Sequence, residues 1–198
     1  GTQWINSGIF PNENIEVTVT LTPLAAGMSE NAIFGAQWSI NGFFLMFYQS
    51  KLRFHSSGAS IDIENFNQTG ENEIICSKTG VTVNGTFYPL NGGGVDVNLA
   101  IVLFSVSDGA GNPVKNGIYQ LKKAVFQQNG QIVRNMIPCK TEQGTIGLYD
   151  LANGAFYANA GTGVFTAGPE IPPEPEPEPL DPYTWYEEDV PTESTMSR

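Results

Sequence analysis

The chain has 198 residues, of which about 168 precede a proline-rich break, enough for one well-filled core with a tail behind it. A composition of 40% apolar and 15% charged residues, with 22 Gly and 13 Pro, is that of turn-rich β structure and excludes helical bundles and coiled coils. No run of about 18 apolar residues exists to cross a bilayer as a helix, and a formal net charge of −11 opposes a general phosphate-binding surface, so neither membrane insertion nor nucleic acid is expected.

Alternation begins early. Across residues 13–22, Ile15, Val17, Val19 and Leu21 alternate with Glu16, Thr18, Thr20 and Thr22, which predicts a half-buried strand with one wet face. Further strands are predicted over residues 32–37, 42–48, 51–55, 59–64, 73–77, 80–84, 99–106, 119–127, 131–138 and 145–150. Phe43, Phe44, Met46, Phe47 and Tyr48 are too apolar for an outer face, so core filling on both sides, or an intersubunit contact, is expected there. The VNLAIVLFSV stretch at 97–106 reads as a central strand rather than a buried helix, on its β-branched residues and its length. Asn84-Gly85, Asn129-Gly130 and Asn153-Gly154 supply the positive φ of tight hairpin turns, and Gly92-Gly93-Gly94 marks a loop. About a dozen short strands so spaced predict an antiparallel sandwich or barrel.

After Gly168 the sequence turns to PEIPPEPEPEPLDP, whose alternating Pro and Glu predict an extended polyproline-type spacer over residues 169–182. Residues 169–198 carry nine acidic side chains and one basic, so most of the negative charge belongs to the tail. Residues 183–198 start aromatic, turn acidic and reach Pro191-Thr192-Glu193-Ser194, where Thr192 or Ser194 is expected to cap the start of a helical module. Gly1 opens the chain with no signal-peptide pattern, the expectation for a piece of something larger. Cys76 and Cys139 are too few for a disulfide scaffold and lack zinc-site spacing; each is expected to fill the core.

Several segments together resemble a family. Gly1-Thr2-Gln3-Trp4-Ile5-Asn6-Ser7-Gly8 with Ile9-Phe10-Pro11-Asn12 is similar to the opening of the laminin-G-like, concanavalin-type jelly rolls found in bacterial surface and phage tail proteins. Ile33-Phe34-Gly35-Ala36, Thr82-Val83-Asn84-Gly85 and VFQQNGQIVRNMIPC at 125–139 follow in that family's order. GLYDLANGAFY at 147–157 and Asn159-Ala160-Gly161-Thr162-Gly163 close it. The tail, with Trp185, Asp189-Val190-Pro191-Thr192, Met196 and Arg198, resembles a segment of tail and fibre proteins from phages of Gram-positive bacteria. The resemblance implies an all-β, two-sheet antiparallel jelly-roll sandwich at 1–168 in a virion appendage. It further implies host-surface carbohydrate and other virion subunits, in a homo-oligomer, as partners. A bacterial surface adhesin carrying the same domain is a further reading. The aromatic at Trp4 is expected to bury in the first strand.

Catalytic chemistry finds little support in the residues. Glucanases on this type of fold place E-x-D-x-E on one strand face, whereas Ser60-Ile61-Asp62-Ile63-Glu64 puts Ser at the nucleophile position. Asp62 and Glu64 then read as solvated neighbours of period two. His55 is the only histidine, and with Lys51 and Arg53 it is expected on the polar side of a short strand, as a surface or hairpin-pair residue rather than a base or metal ligand; one histidine also makes a transition-metal site unexpected. Asp108-Gly109-Ala110-Gly111-Asn112 offers one carboxylate, too few oxygens for calcium, and reads as a turn. The sequons at Asn67 and Asn84 read as coincidental. No catalytic residue, metal or cofactor is therefore expected.

Carbohydrate binding needs less: an exposed aromatic face to stack on sugar C–H groups, with amides for the hydroxyls. Gln37-Trp38-Ser39-Ile40-Asn41-Gly42 offers that mixture between two predicted strands, with Trp38 as the stacking platform and Gln37 and Asn41 as polar partners. The competing expectation is that Trp38 packs against a neighbouring loop, in a structural or decoration domain that binds no sugar.

Overall fold

The computed structural model describes residues 2–95 and 97–169. The linker and helical segment expected from residue 170 onward lie outside them. Two antiparallel sheets make the fold. One has six strands, in the order β1 (Ile5–Asn6), β10 (Val102–Leu103), β3 (Asn31–Ala36), β4 (Phe43–Tyr48), β5 (Lys51–Ser56) and β6 (Ala59–Ile63). The other has eight: β16 (Ala155–Ala158), β15 (Ile146–Asp150), β14 (Gln131–Lys140), β13 (Tyr119–Gln128), β2 (Ile15–Pro23), β7 (Asn72–Ser77), β8 (Gly80–Val83) and β9 (Thr86–Pro89). A two-stranded ribbon, β11 (Val106–Ser107) with β12 (Pro113–Val114), completes the set. The architecture is an all-β, two-sheet sandwich.

Period-two patterning decides which residues meet between the sheets. In β2 the odd positions Ile15, Val17, Val19 and Leu21 are buried and the even ones half-exposed, as the alternation predicts. They join Ile74, Cys76 and Phe126 from their own sheet and Phe34, Leu45 and Phe54 from the other in one apolar core. β4 is buried on both faces: Phe43, Leu45 and Phe47 enter that core, whereas Phe44 and Met46 join Ala32 and Val106 in a second, smaller cluster on the outer side of the six-stranded sheet. Gly35 makes this second layer possible, because a Cβ there would lie 2.4 Å from the Phe44 Cβ and 2.8 Å from Val106 Cγ2.

Residues 97–106 depart from the predicted continuous strand. The chain pairs with the sheet over only Val102 and Leu103, then turns out at Phe104, φ +64°, to become the ribbon that covers the outer cluster. Tertiary contacts hold that unusual backbone. The Phe104 amide donates to the Ile33 carbonyl (2.9 Å) and the Tyr119 hydroxyl (3.0 Å), while that hydroxyl donates to Ile33 (2.6 Å). The Phe104 ring stacks on Tyr119 at 4.8 Å. Burial of Tyr119 pushes its phenol far above the ordinary value, so it stays a donor.

The segments that carry the family resemblance meet in space. Trp4 and Thr2 accept backbone hydrogen bonds from Ala160 and Gly163, and Asn159 binds both sides of this seam, accepting from the Trp4 and Gly161 amides and donating to the Gly163 carbonyl. Arg134, on β14, donates to the carbonyls of Ser7 (3.1 Å) and Val133 (2.7 Å), and lies 3.5 Å from the buried carboxylate of Asp150 on β15. Asp150 Oδ1 accepts from the Asn135 and Ala152 amides, which fixes the turn into β16. These motif residues hold the two ends of the domain together.

Three further expectations need correction. Cys139 is half-exposed on β14 instead of filling the core, because its neighbours across the sheet are Gly147 and, beyond it, Ala158; Cys76 is buried, and both are free thiols. Trp4 lies one residue before β1 and is only half-buried. Asn84-Gly85 and Asn129-Gly130 have positive φ at both residues, but at Asn153-Gly154 only the glycine does, because the four-residue turn there is organised by Asp150. Both sequon asparagines are committed locally: Asn67 Oδ1 accepts from Thr69 and Gly70, while Asn84 accepts from the Glu73 amide and donates to buried Asn72.

Candidate functional site

The loop of residues 37–42 joins β3 to β4 and is built rigidly. Gln37 takes a left-handed backbone, φ +62°, and its amide donates to Ser107 Oγ (3.0 Å), while the Trp38 amide donates to the Ser107 carbonyl (2.5 Å). Inside the loop, Ser39 and Gly42 donate to the carbonyls of Gln37 and Ser39. A Cβ at Gly42 would fall 1.9 Å from the Gln37 oxygen, so the loop closes only over glycine. Its far side is tied to the β5–β6 turn, where Ser57 donates to Gly42 (2.9 Å) and Gly58 to Ile40 (2.6 Å).

Trp38 leans on the outer cluster. Its ring lies 4.8 Å from Phe44 at 48°, the Lys115 ammonium sits 5.7 Å from its centroid, and the side chain remains half-exposed. Gln37 is half-exposed and Asn41 exposed; among the described residues neither side-chain amide makes a hydrogen bond. One loop thus carries an aromatic ring and two uncommitted amides on an open surface. None of the three lines the small cavity at Met28 or the groove at Glu13.

His55 is a hairpin-pair residue, opposite Ser60 across the β5–β6 turn, and not a surface one. It shares a sheet face with Arg53, yet the 37–42 loop folds across it and leaves it 8% exposed, stacked on Phe44 at 4.7 Å and 16°. Because a carbonyl can only accept, the 2.9 Å contact of Nε2 with Ile40 O makes Nε2 the protonated nitrogen, and Nδ1 accepts from Ser60 Oγ at 2.7 Å in the neutral ring. Burial foremost, with the Arg53 charge adding to it, lowers the pKa of His55 against the Ile40 bond.

The unfolded ring therefore binds a proton at higher pH than the folded one. His55 leaves stability undiminished above about pH 6.5, the free imidazole value, and lowers it progressively as pH falls below that toward the depressed folded value. Denaturant unfolding at pH 7.5 and pH 5.0 should show a loss on acidification that shrinks in His55→Asn. An unchanged loss in that variant overturns the lowered pKa of the folded ring.

Asp62 and Glu64 are each bound to a cation. Arg53 grips Asp62 through Nε (2.6 Å) and Nη2 (2.7 Å) while its guanidinium lies 3.9 Å over Tyr48, and Lys51 Nζ lies 2.7 Å from Glu64. Those bonds hold both carboxyls below their ordinary values, so neither is a proton donor at neutral pH. Asp108 turns inward on its own loop, Oδ1 accepting from the Ala110 and Asn112 amides and Oδ2 from Asn112 Nδ2. Among the described residues, no three His, Cys, Asp or Glu side chains lie together as metal ligands, and no helix is long and apolar enough to cross a membrane.

One feature escaped the sequence reading. A groove of about 360 Å³ opens at the start of β2, between the β7–β8 and β13–β14 turns, lined by Glu13, Asn14, Glu16, Lys78, Gln127 and Asn129 among others. Asn129 read only as a turn residue, and no periodicity marks groups drawn from three separate turns. Comparison with protein-family models and with curated proteins gives no match.

Proposed function

We propose that residues 1–168 form a concanavalin-type jelly roll of the laminin-G-like kind, working as a non-catalytic domain of a phage virion appendage that presents loops to host-surface carbohydrate. The residue resemblance supplies the context, as an analogy of fold and motif. The observation that carries the binding reading is the 37–42 loop: a half-exposed indole backed by Phe44, flanked by amides with no internal partners, on a backbone pinned from two sides. Such a surface binds one sugar weakly, and repeated copies in a homo-oligomer raise the effective concentration without new contacts.

A glycan array with the full chain and with Trp38→Ala tests this. The indole is backed by the sheet, so its loss should leave folding intact and weaken retained glycans by about tenfold or more. Undiminished binding by the variant overturns the role of Trp38.

A second reading, a structural domain packed on neighbouring virion subunits, has its own observation. Ile132, Tyr149 and Leu151, on or next to β14 and β15, are 54%, 37% and 54% exposed. The aromatic run of β4 offers nothing to a neighbour, since Phe43 to Phe47 are all buried within the chain. A wild-type chain that binds no glycan and self-associates through Tyr149 and Leu151 would favour this reading.

A further inference from the structure

Loops from both sheets gather at one rim of the sandwich. The 37–42 loop is bonded to the β5–β6 turn, and Ser56 there donates through Oγ to the Gly94 carbonyl. A Cβ on Gly93 would meet the Lys78 carbonyl at 3.1 Å and the Ser56 carbonyl at 3.3 Å, so the glycine loop lies directly between the β5–β6 and β7–β8 turns. Glu13 closes the series, accepting from the Val95 amide (2.8 Å) and from Lys78 Nζ (2.9 Å). The 360 Å³ groove therefore lies on the rim that carries Trp38, with the Gly92–Gly94 loop between them.

We propose that this groove is a second subsite for the same carbohydrate, taking a neutral or amino-substituted hexose unit. The inference rests on the glycan reading above. Asn14 Nδ2 donates to Asn129 Oδ1 at 2.8 Å, which orients both side-chain amides and leaves Asn14 Oδ1 and the Asn129 Nδ2 hydrogens without partners among the described residues. Beside them stand the Ser77–Thr79 hydroxyl pair and Gln127 with Glu16. Fixed acceptors next to fixed donors match vicinal hydroxyls, each of which both donates and accepts. The volume falls in the lower part of the range of about 300–1,000 Å³ usual for small-ligand sites, which suits the end of a glycan.

Charge narrows the ligand further. Glu13 and Glu16 face one cation, Lys78, which Glu13 already engages, so phosphate- or carboxylate-bearing sugars are repelled and an amino group is welcome. Both walls are rigid, since Asn129 and Gly130 form a tight turn and the Asn129 amide is bonded to the Asn14 carbonyl.

The test uses the ¹⁵N-labelled full chain titrated with oligosaccharides of glucose, galactose and glucosamine, and with inorganic phosphate as the anionic control. Amide shifts at Asn14, Thr79 and Gly130 are expected with at least one oligosaccharide and none with phosphate. Gln127→Ala and Ser77→Ala, both at half-exposed positions, should each weaken that binding by about tenfold, the loss of one or two hydrogen bonds. Shifts confined to residues 37–42, with binding abolished by Trp38→Ala and untouched by the groove variants, overturn the subsite and leave the glycan reading standing. Shifts with phosphate alone overturn the ligand class, and no response to any sugar overturns both readings.

Discussion

Phe43→Ala is expected to lower the unfolding free energy by about 4 kcal/mol, the range for a fully buried Phe cut back to a methyl group. The ring is 0% exposed at the start of β4, 6.0 Å from Phe34 and edge-on to Phe54 at 5.4 Å. Its removal leaves a void between two strands that are hydrogen-bonded on either side of β4 and cannot close in. For a domain of this size the melting temperature should fall by roughly 10 °C. Phe43→Leu, which keeps most of the volume, should cost less than half as much. Phe44→Ala provides the contrast on the opposite face, where the apolar layer is one ribbon thick; it should cost less stability while releasing Trp38 and His55, which both pack on that ring. Calorimetric melting of the three variants checks the order. A loss at Phe44 as large as at Phe43 would show that the outer cluster, and not the interface between the sheets, is the main core.

Asp150→Ala should cost about 3 kcal/mol, as when one partner of a buried ion pair is removed. The carboxylate is 0% exposed, and three groups depend on it: the amides of Asn135 and Ala152, and the Arg134 guanidinium at 3.5 Å. Oδ2 makes no hydrogen bond among the described residues, so the Arg134 charge is its main compensation. Asp150→Asn keeps an oxygen for both amides and gives up only the charge, and should recover at least half of the loss. Denaturant unfolding of both variants measures the split. Equal losses would mean that the ion pair dominates and that the turn into β16 holds without its side-chain acceptor. Because Arg134 also binds Ser7, Asp150→Ala should increase hydrogen exchange at the N-terminal segment as well as at β15 and β16.

Most of the sandwich was legible because each strand declares itself locally. A residue facing the core must be apolar and its neighbours need not be, so β2 and β6 could be read from alternation alone, and Asn-Gly pairs marked two of the hairpins. The short strands β9, β12 and β16 were missed because none of their residues is buried and so none shows period-two alternation, whereas the equally short β8 buries three of its four. Residues 97–106 misled for the opposite reason: an apolar run says that a segment is buried, but not that its backbone stays straight.

The sequence alone determined the all-β class and the strand faces that alternate, because composition and period two follow from which side chains water tolerates. Only the tertiary structure decided that the 37–42 loop would close over His55, that Trp38 would rest on Phe44, and that Asn14, Lys78 and Asn129 would share one groove. Each of those results depends on which distant strands become neighbours, as β2 does with β13 and β7. That choice is made by the packing of whole faces, and no short stretch of the chain records it.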